Sequence, residues 1–192
     1  MDSPLTILGI AGSLRKASYN RAALRAAQQL APQGAQIEIF DLEGIPPFNQ
    51  DLEKSPSERV VRFKERIRAA DAILFVTPEY NYSIPGVLKN AIDWASRPYG
   101  DNAWDGKPVA VMGASVGSLG TARAQYHLRQ VFVYVNMHPL NRPEVMIANA
   151  AERFDAQGNL TDEKTRDHIR QLLAALVEVT RRHQQSQRAA GV

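Results

Sequence analysis

Two serines, an arginine and an asparagine in "GSLRKASYN" (residues 12–20) follow directly on the apolar run "LTILGIA" (5–11). Ser13 and Ser18 bring hydroxyl donors, and Arg15 brings a planar fork matched to phosphate. Asn20 stands where a helix begins, able to cap it or to donate to a ligand. A strand feeding such a loop, with free backbone N–H groups and a positive helix end behind it, suits an anion. The same residues also make an ordinary capped turn. Gly9 and Gly12 are followed by Leu14 and Arg15, which breaks the G-x-G-x-x-G spacing of a dinucleotide site. No G-K-[S/T] closes the loop, so it is not an ATP P-loop. A terminal monophosphate is the anion that remains.

Two further loops add to this chemistry. "TPEYNYSIPGVLKNAIDW" (77–94) sets Tyr80 and Tyr82 around Asn81. A flat ligand needs an aromatic wall and polar groups for its edge. The tyrosines supply the wall and the stretch around Glu79 and Asn81 the edge, unless both rings simply pack. "GASVGSLGTARAQ" (113–125) places Gly117 and Gly120 where backbone can approach closely. A flat heterocycle carrying a polyol phosphate would use all three loops.

Positioning these loops requires strands that end together. Apolar runs at 5–11, 36–42, 72–77, 108–115 and 143–148 read as five strands, and helical patterns lie between them. The first helix spans 20–31. The second starts at "SPSE", with Ser55 as cap, Pro56 in the first turn and Glu58 completing a capping box. Pro85 opens the third, and a fourth lies near 119–134. Thr161 caps the last, whose Ile169, Leu172, Leu173, Leu176 and Val177 share a stripe. Alternating strands and helices imply one domain over 1–192, an α/β/α sandwich around a parallel sheet. Ligands in such sheets sit at the carboxyl ends of the strands.

Composition narrows the function. The chain has 192 residues and no cysteine, which removes disulfides, thiolate nucleophiles and cysteine-ligated metals and fits a reducing, cytoplasmic setting. The N-terminus lacks the pattern of a signal peptide, and no apolar run is long enough to span a membrane. Net charge is +3 and the pI is about 9.3, but Lys and Arg are spread along the chain. Arg181, Arg182 and Arg188 cluster near the end, read as a solvated last helix whose final roughly eight residues are a frayed tail. Nucleic acid is not an expected partner. His127, His138, His168 and His183 have no metal-ligand spacing, and no G-x-S-x-G marks a hydrolase. Asp93 and Trp94 read as packing or a subunit contact. Trp104 is left open between an interface and a substrate lid.

"GSLRKASYN", "PEYNYSIPGVLKNAIDWASRP" and "GASVGSLGTARAQ", in order over roughly residues 5–150, resemble the NADPH-dependent FMN reductase family, nearest its quinone and chromate reductase branch. The resemblance implies a flavodoxin-like fold of five parallel strands in the order 2-1-3-4-5, with FMN held non-covalently. Ser13, Arg15, Ser18, Tyr19 and Asn20 would hold the phosphate and its approach. Pro78, Glu79, Tyr80 and Asn81 would line the flavin ring, and Ser115 and Gly117 would close the other side. No side chain would be the chemical catalyst, since the flavin carries the reaction. The implied activity is hydride transfer from NAD(P)H to FMN, then two electrons to a quinone or to chromate or azo compounds, in ping-pong order. A flavin reductase feeding a monooxygenase and a flavodoxin-like electron carrier are the competing readings. Such carriers are strongly acidic, and this chain is basic. A dimer or tetramer is also implied, with Arg123, Tyr126 and Glu144 as an interface cluster.

Overall fold

The computed structural model describes residues 4–190. Its sheet contains β1 (Leu5–Ala11), β2 (Ala35–Phe40), β3 (Ala72–Val76) and β4 (Pro108–Ala114), with two short strands, β5 (His138–Pro139) and β6 (Val145–Ile147). All pairings are parallel, and the order is 2-1-3-4-5, with β6 also on β4. This is the doubly wound, flavodoxin-like order. The helices are α1 (Tyr19–Gln29), α2 (Glu58–Ala69), α3 (Gly86–Ala95), α4 (Ala122–Tyr134) and α5 (Glu163–Ala189).

The central strands β1, β3 and β4 are almost wholly apolar because both faces are covered, while the edge strand β2 alternates. Side chains alternate between two cores. Ile7, Leu74 and Met112 point to the face under α1 and α5, while Leu8, Ile10, Phe75 and Val111 point to the face under α2, α3 and α4. On α5 the expected stripe from Ile169 to Val177 is buried.

Several boundaries differ from expectation for local physical reasons. The fifth strand is split: β5 pairs with the start of β4 and β6 with its end. Pro143 has no N–H to give a ladder, so pairing resumes only at Val145. The capping box at Ser55 does not form. Ser55 N–H bonds Leu52 at the end of a short 3-10 turn, and α2 starts later behind Ser57. The last helix is capped by Asp162, whose carboxylate accepts from Thr165 N–H at 2.9 Å, while the Thr161 hydroxyl donates to Arg153 O. The helix then runs through Ala189, past the start of the expected tail, held by Gln184 donating to Asp71 at 2.8 Å. Residues 191–192 lie outside the described part.

Trp104 is neither interface nor lid. It is fully buried between Phe63 and Phe75, at ring distances of 5.7 and 5.6 Å, and its indole N–H donates to Ile92 O. Trp94 is also buried, donating to Pro46 O, and Asp93 pairs with Lys89 on the helix surface. Trp104→Ala removes a filled volume and an aromatic cluster, so it costs about 3–5 kcal/mol of stability in urea unfolding. A loss below about 1 kcal/mol contradicts this packing.

Candidate functional site

A cavity of about 220 Å³ lies at the carboxyl ends of β1, β3 and β4. From the first loop it gathers Ser13, Arg15, Ser18, Tyr19 and Asn20; from the second Pro78, Glu79 and Tyr80; from the third Ser115, with Ala114 and Val116. Three segments distant in sequence thus share one wall. Two of the expected residues, Asn81 and Gly117, do not line it.

The first loop is built to present donors. Ser18 is the N-cap of α1 and its Oγ accepts from Asn20 N–H at 3.2 Å. Ser13 Oγ accepts from Arg15 N–H at 3.4 Å. Each hydroxyl uses a lone pair and keeps its hydrogen to donate. Among the described residues, nothing accepts from the backbone N–H groups of Ser13, Leu14, Lys16 and Ala17. Arg15 is exposed, with its guanidinium 5.9 Å from the Tyr19 ring centroid. Tyr19 is fixed in turn by Phe154 at 5.3 Å.

Asn20 lines the cavity from the first turn of α1. Its Nδ2 donates to Ala114 O at 2.9 Å and its Oδ1 accepts from Ala114 N–H at 2.8 Å. The pair ties the start of α1 to the end of β4, and one Nδ2 hydrogen is left over.

The second loop is a tight hairpin. Tyr80 and Ser83 exchange backbone hydrogen bonds of 3.1 and 3.0 Å around Asn81 (φ 50°) and Tyr82 (φ 66°). Positive φ at both central positions makes a type I′ turn. Asn81 therefore serves the backbone and faces solvent, which takes it out of the cavity wall. The Glu79 carboxylate is also engaged elsewhere, accepting from Arg123 N–H, Ala124 N–H and Arg123 Nε. Arg123, expected at an interface, makes this pair within the chain and is half-buried, while Tyr126 and Glu144 are exposed. The sequence held no local sign of this pairing across 44 positions.

In the third loop Ser115 Oγ accepts from Gly117 N–H at 3.1 Å. Gly117 is exposed beyond that turn. Gly120 sits at φ +60° against Met146, so the turn into α4 requires it. Tyr80 and Val116, which line the cavity, are exposed, as are Tyr82 and Leu119 in the same two loops. Among the described residues, no group of three or more His, Cys, Asp or Glu side chains could hold a metal ion. No described helix is long and apolar enough to cross a membrane.

The family model for NADPH-dependent FMN reductases matches residues 5–152. An NAD(P)H-dependent FMN reductase of Pseudomonas aeruginosa is 58% identical over 177 residues, covering 92% of this chain and 95% of that one. A 2-hydroxy-1,4-benzoquinone reductase of a Burkholderia species is 46% identical over 165 residues, covering 86% and 90%. The flavoenzyme NAD(P)H:(acceptor) oxidoreductase FerB from Paracoccus denitrificans is 41% identical in sequence. It superposes with a TM-score of 0.86, covering 93% of this chain and 98% of that one. The fold and site thus define a flavodoxin-like oxidoreductase. The chain belongs to the NADPH-dependent FMN reductase family, whose enzymes work with FMN and NAD(P)H.

The residues present fit FMN. Free N–H groups, two hydroxyl hydrogens and Arg15 surround one end of the cavity, as a phosphate dianion requires. Apolar and aromatic surface borders the other, as a flat ring requires. Asn20→Asp keeps the size but sets a carboxylate oxygen against Ala114 O. Urea unfolding should show a loss of about 1–3 kcal/mol, and an unchanged midpoint contradicts the structural role of this amide.

Proposed function

We propose that the chain is an FMN-dependent NAD(P)H:quinone oxidoreductase acting at the three-loop cavity. The observation that supports this reading is the meeting in one cavity of the first loop's hydroxyl, guanidinium and N–H donors with Tyr19, Tyr80 and Val116. Bound there, FMN supplies two-electron chemistry, taking hydride from NAD(P)H and passing electrons to an acceptor.

The chain's own tasks are binding and exposure. Ser13, Arg15, Ser18 and the N–H groups of the first loop hold the phosphate. Tyr19 borders its approach. Pro78, Glu79 and Tyr80 carry the backbone against the ring edge, and Ser115 closes the opposite side. Asn20 lines the cavity with them, and Asn81 and Gly117 support these segments from behind. The open rim leaves one face for donor and acceptor in turn, which makes the kinetics ping-pong. A quinone takes up two electrons and two protons, one with the hydride equivalent and one from solvent. An open face also admits chromate and azo compounds.

A second reading is a flavin reductase that releases reduced FMN to a monooxygenase, and the NAD(P)H-dependent FMN reductase of Pseudomonas aeruginosa supports its first half. FMN retained through gel filtration supports the quinone reductase, and FMN consumed as substrate supports the alternative. Against a non-catalytic carrier stands the basic pI of about 9.3.

A second copy of the chain is the proposed partner of α4. Tyr126, Val133 and Tyr134 are exposed there, beside a groove of about 540 Å³ between α3 and α4. Tyr126 and Glu144 belong to this interface; Arg123 stands behind it.

Initial rates with NADPH and a benzoquinone should give parallel double-reciprocal lines. Converging lines, or no NADPH oxidation with FMN present, contradict the reading. Arg15→Ala removes a charge-assisted contact and should raise the Kd for FMN about tenfold or more in a fluorescence titration. An unchanged Kd removes Arg15 from the phosphate site.

A further inference from the structure

We propose that Glu79, Arg123 and Tyr82 form a clamp that positions the second loop and balances charge beside the flavin. This rests on the reading that FMN occupies the three-loop cavity, which Glu79 helps to line.

The clamp begins at a helix end. Thr121, the N-cap of α4, makes no side-chain capping bond. The Glu79 carboxylate fills that role from a different segment, accepting from Arg123 N–H at 3.0 Å and Ala124 N–H at 3.2 Å through Oε2. Its Oε1 accepts from Arg123 Nε at 2.5 Å. The Glu79 side chain is only 6% exposed, so its charge depends on these three donors and on the positive helix end.

The guanidinium has a second task. Its carbon lies 3.7 Å from the centroid of the Tyr82 ring. Tyr82 is held at φ 66°, a conformation that bulky residues adopt only under constraint. The hairpin's backbone bridge, Tyr80 to Ser83, lies within the hairpin itself. Its placement comes from α4, through Glu79 at its base and Tyr82 at its tip, both fastened to Arg123, and through Ser83 Oγ, which lies 2.9 Å from His127 Nδ1.

The arrangement has an electrostatic consequence. Glu79 and Arg123 carry opposite charges and nearly cancel while both are present. Hydride uptake adds negative charge to a flavin in the cavity. Removing the carboxylate leaves the guanidinium and helix end uncompensated, which favours reduction. Removing the guanidinium does the reverse. The two halves of one ion pair must then move the flavin potential in opposite directions, an effect that loosened packing does not produce. Glu79 and Arg123 are thus positioning residues with a charge role.

The test is the midpoint potential of the FMN-loaded protein, by equilibration with a reference dye. Glu79→Gln should raise it and Arg123→Gln should lower it. Each shift should reach a tenfold change in the ratio of reduced to oxidised flavin, about 30 mV for a two-electron couple. The double variant should return near the wild-type value, and Arg123→Lys, which keeps the charge, should stay near it. Should a variant release FMN, the ratio of its Kd values for oxidised and reduced FMN carries the same shift. Single variants that move the potential the same way, or not at all, overturn the clamp alone. A wild-type protein that takes up no FMN overturns the clamp together with the reading beneath it.

Discussion

Two hydrogen bonds between the Asn20 amide and the backbone of Ala114 hold the cavity's first and third loops together. The sheet does not do this by itself, because β3 lies between β1 and β4. The ladder continues a step past the strand ends instead. Gly12 N–H bonds Val76 O, Thr77 N–H bonds Met112 O, and Ser115 N–H bonds Ile147 O. Each loop therefore leaves the sheet at a set register, and Asn20 spans the gap over β3. An anion cradle and an aromatic rim that began in separate parts of the chain are brought to one place by this junction.

Close packing beneath the loops supplies the second constraint. A Cβ on Gly113 would stand 2.1 Å from Thr121 Oγ1 and 2.2 Å from Thr77 O. No side chain fits there, so the segment entering α4 rests directly on the ends of β3 and β4. This brings the start of α4 within reach of the Glu79 carboxylate. The chain of causes runs from a missing side chain in the sheet to the placement of a surface hairpin and then to the chemistry at its edge. The proposed clamp and the proposed subunit face both lie on α4, which is why one helix carries residues of such different character.

Much of this was legible in the sequence where the signal is local. Strands covered on both faces read as unbroken apolar runs, and 72–77 and 5–11 announced themselves in that way. The first loop's serines and arginine suited an anion site or a capped turn by type and spacing, and one cavity gathers them. The fifth strand was harder, because two short pieces share one edge and neither has a full strand's pattern. The helix starts expected at Ser55 and Thr161 lie two residues and one residue later, at Ser57 and Asp162, where several capping residues stand close together and tertiary contacts choose among them. Trp104 lies in a polar loop with no periodicity, and only the core beneath that loop explains it. The bond from Asn20 to Ala114 was not legible because its partner is a backbone group 94 positions away. Glu79 and Arg123 read as belonging to different tasks, since nothing in the chain between them reports their contact.

The central claim is that the first loop holds the flavin by its phosphate. The direct measurement is a titration of the flavin-free protein with FMN and, separately, with riboflavin, followed by quenching of flavin fluorescence. Riboflavin offers the same ring and polyol without the anion. The account predicts that FMN binds tighter by on the order of 100-fold or more, and that added salt narrows the gap. Equal affinity for the two would contradict it and return residues 12–20 to the role of a capped turn.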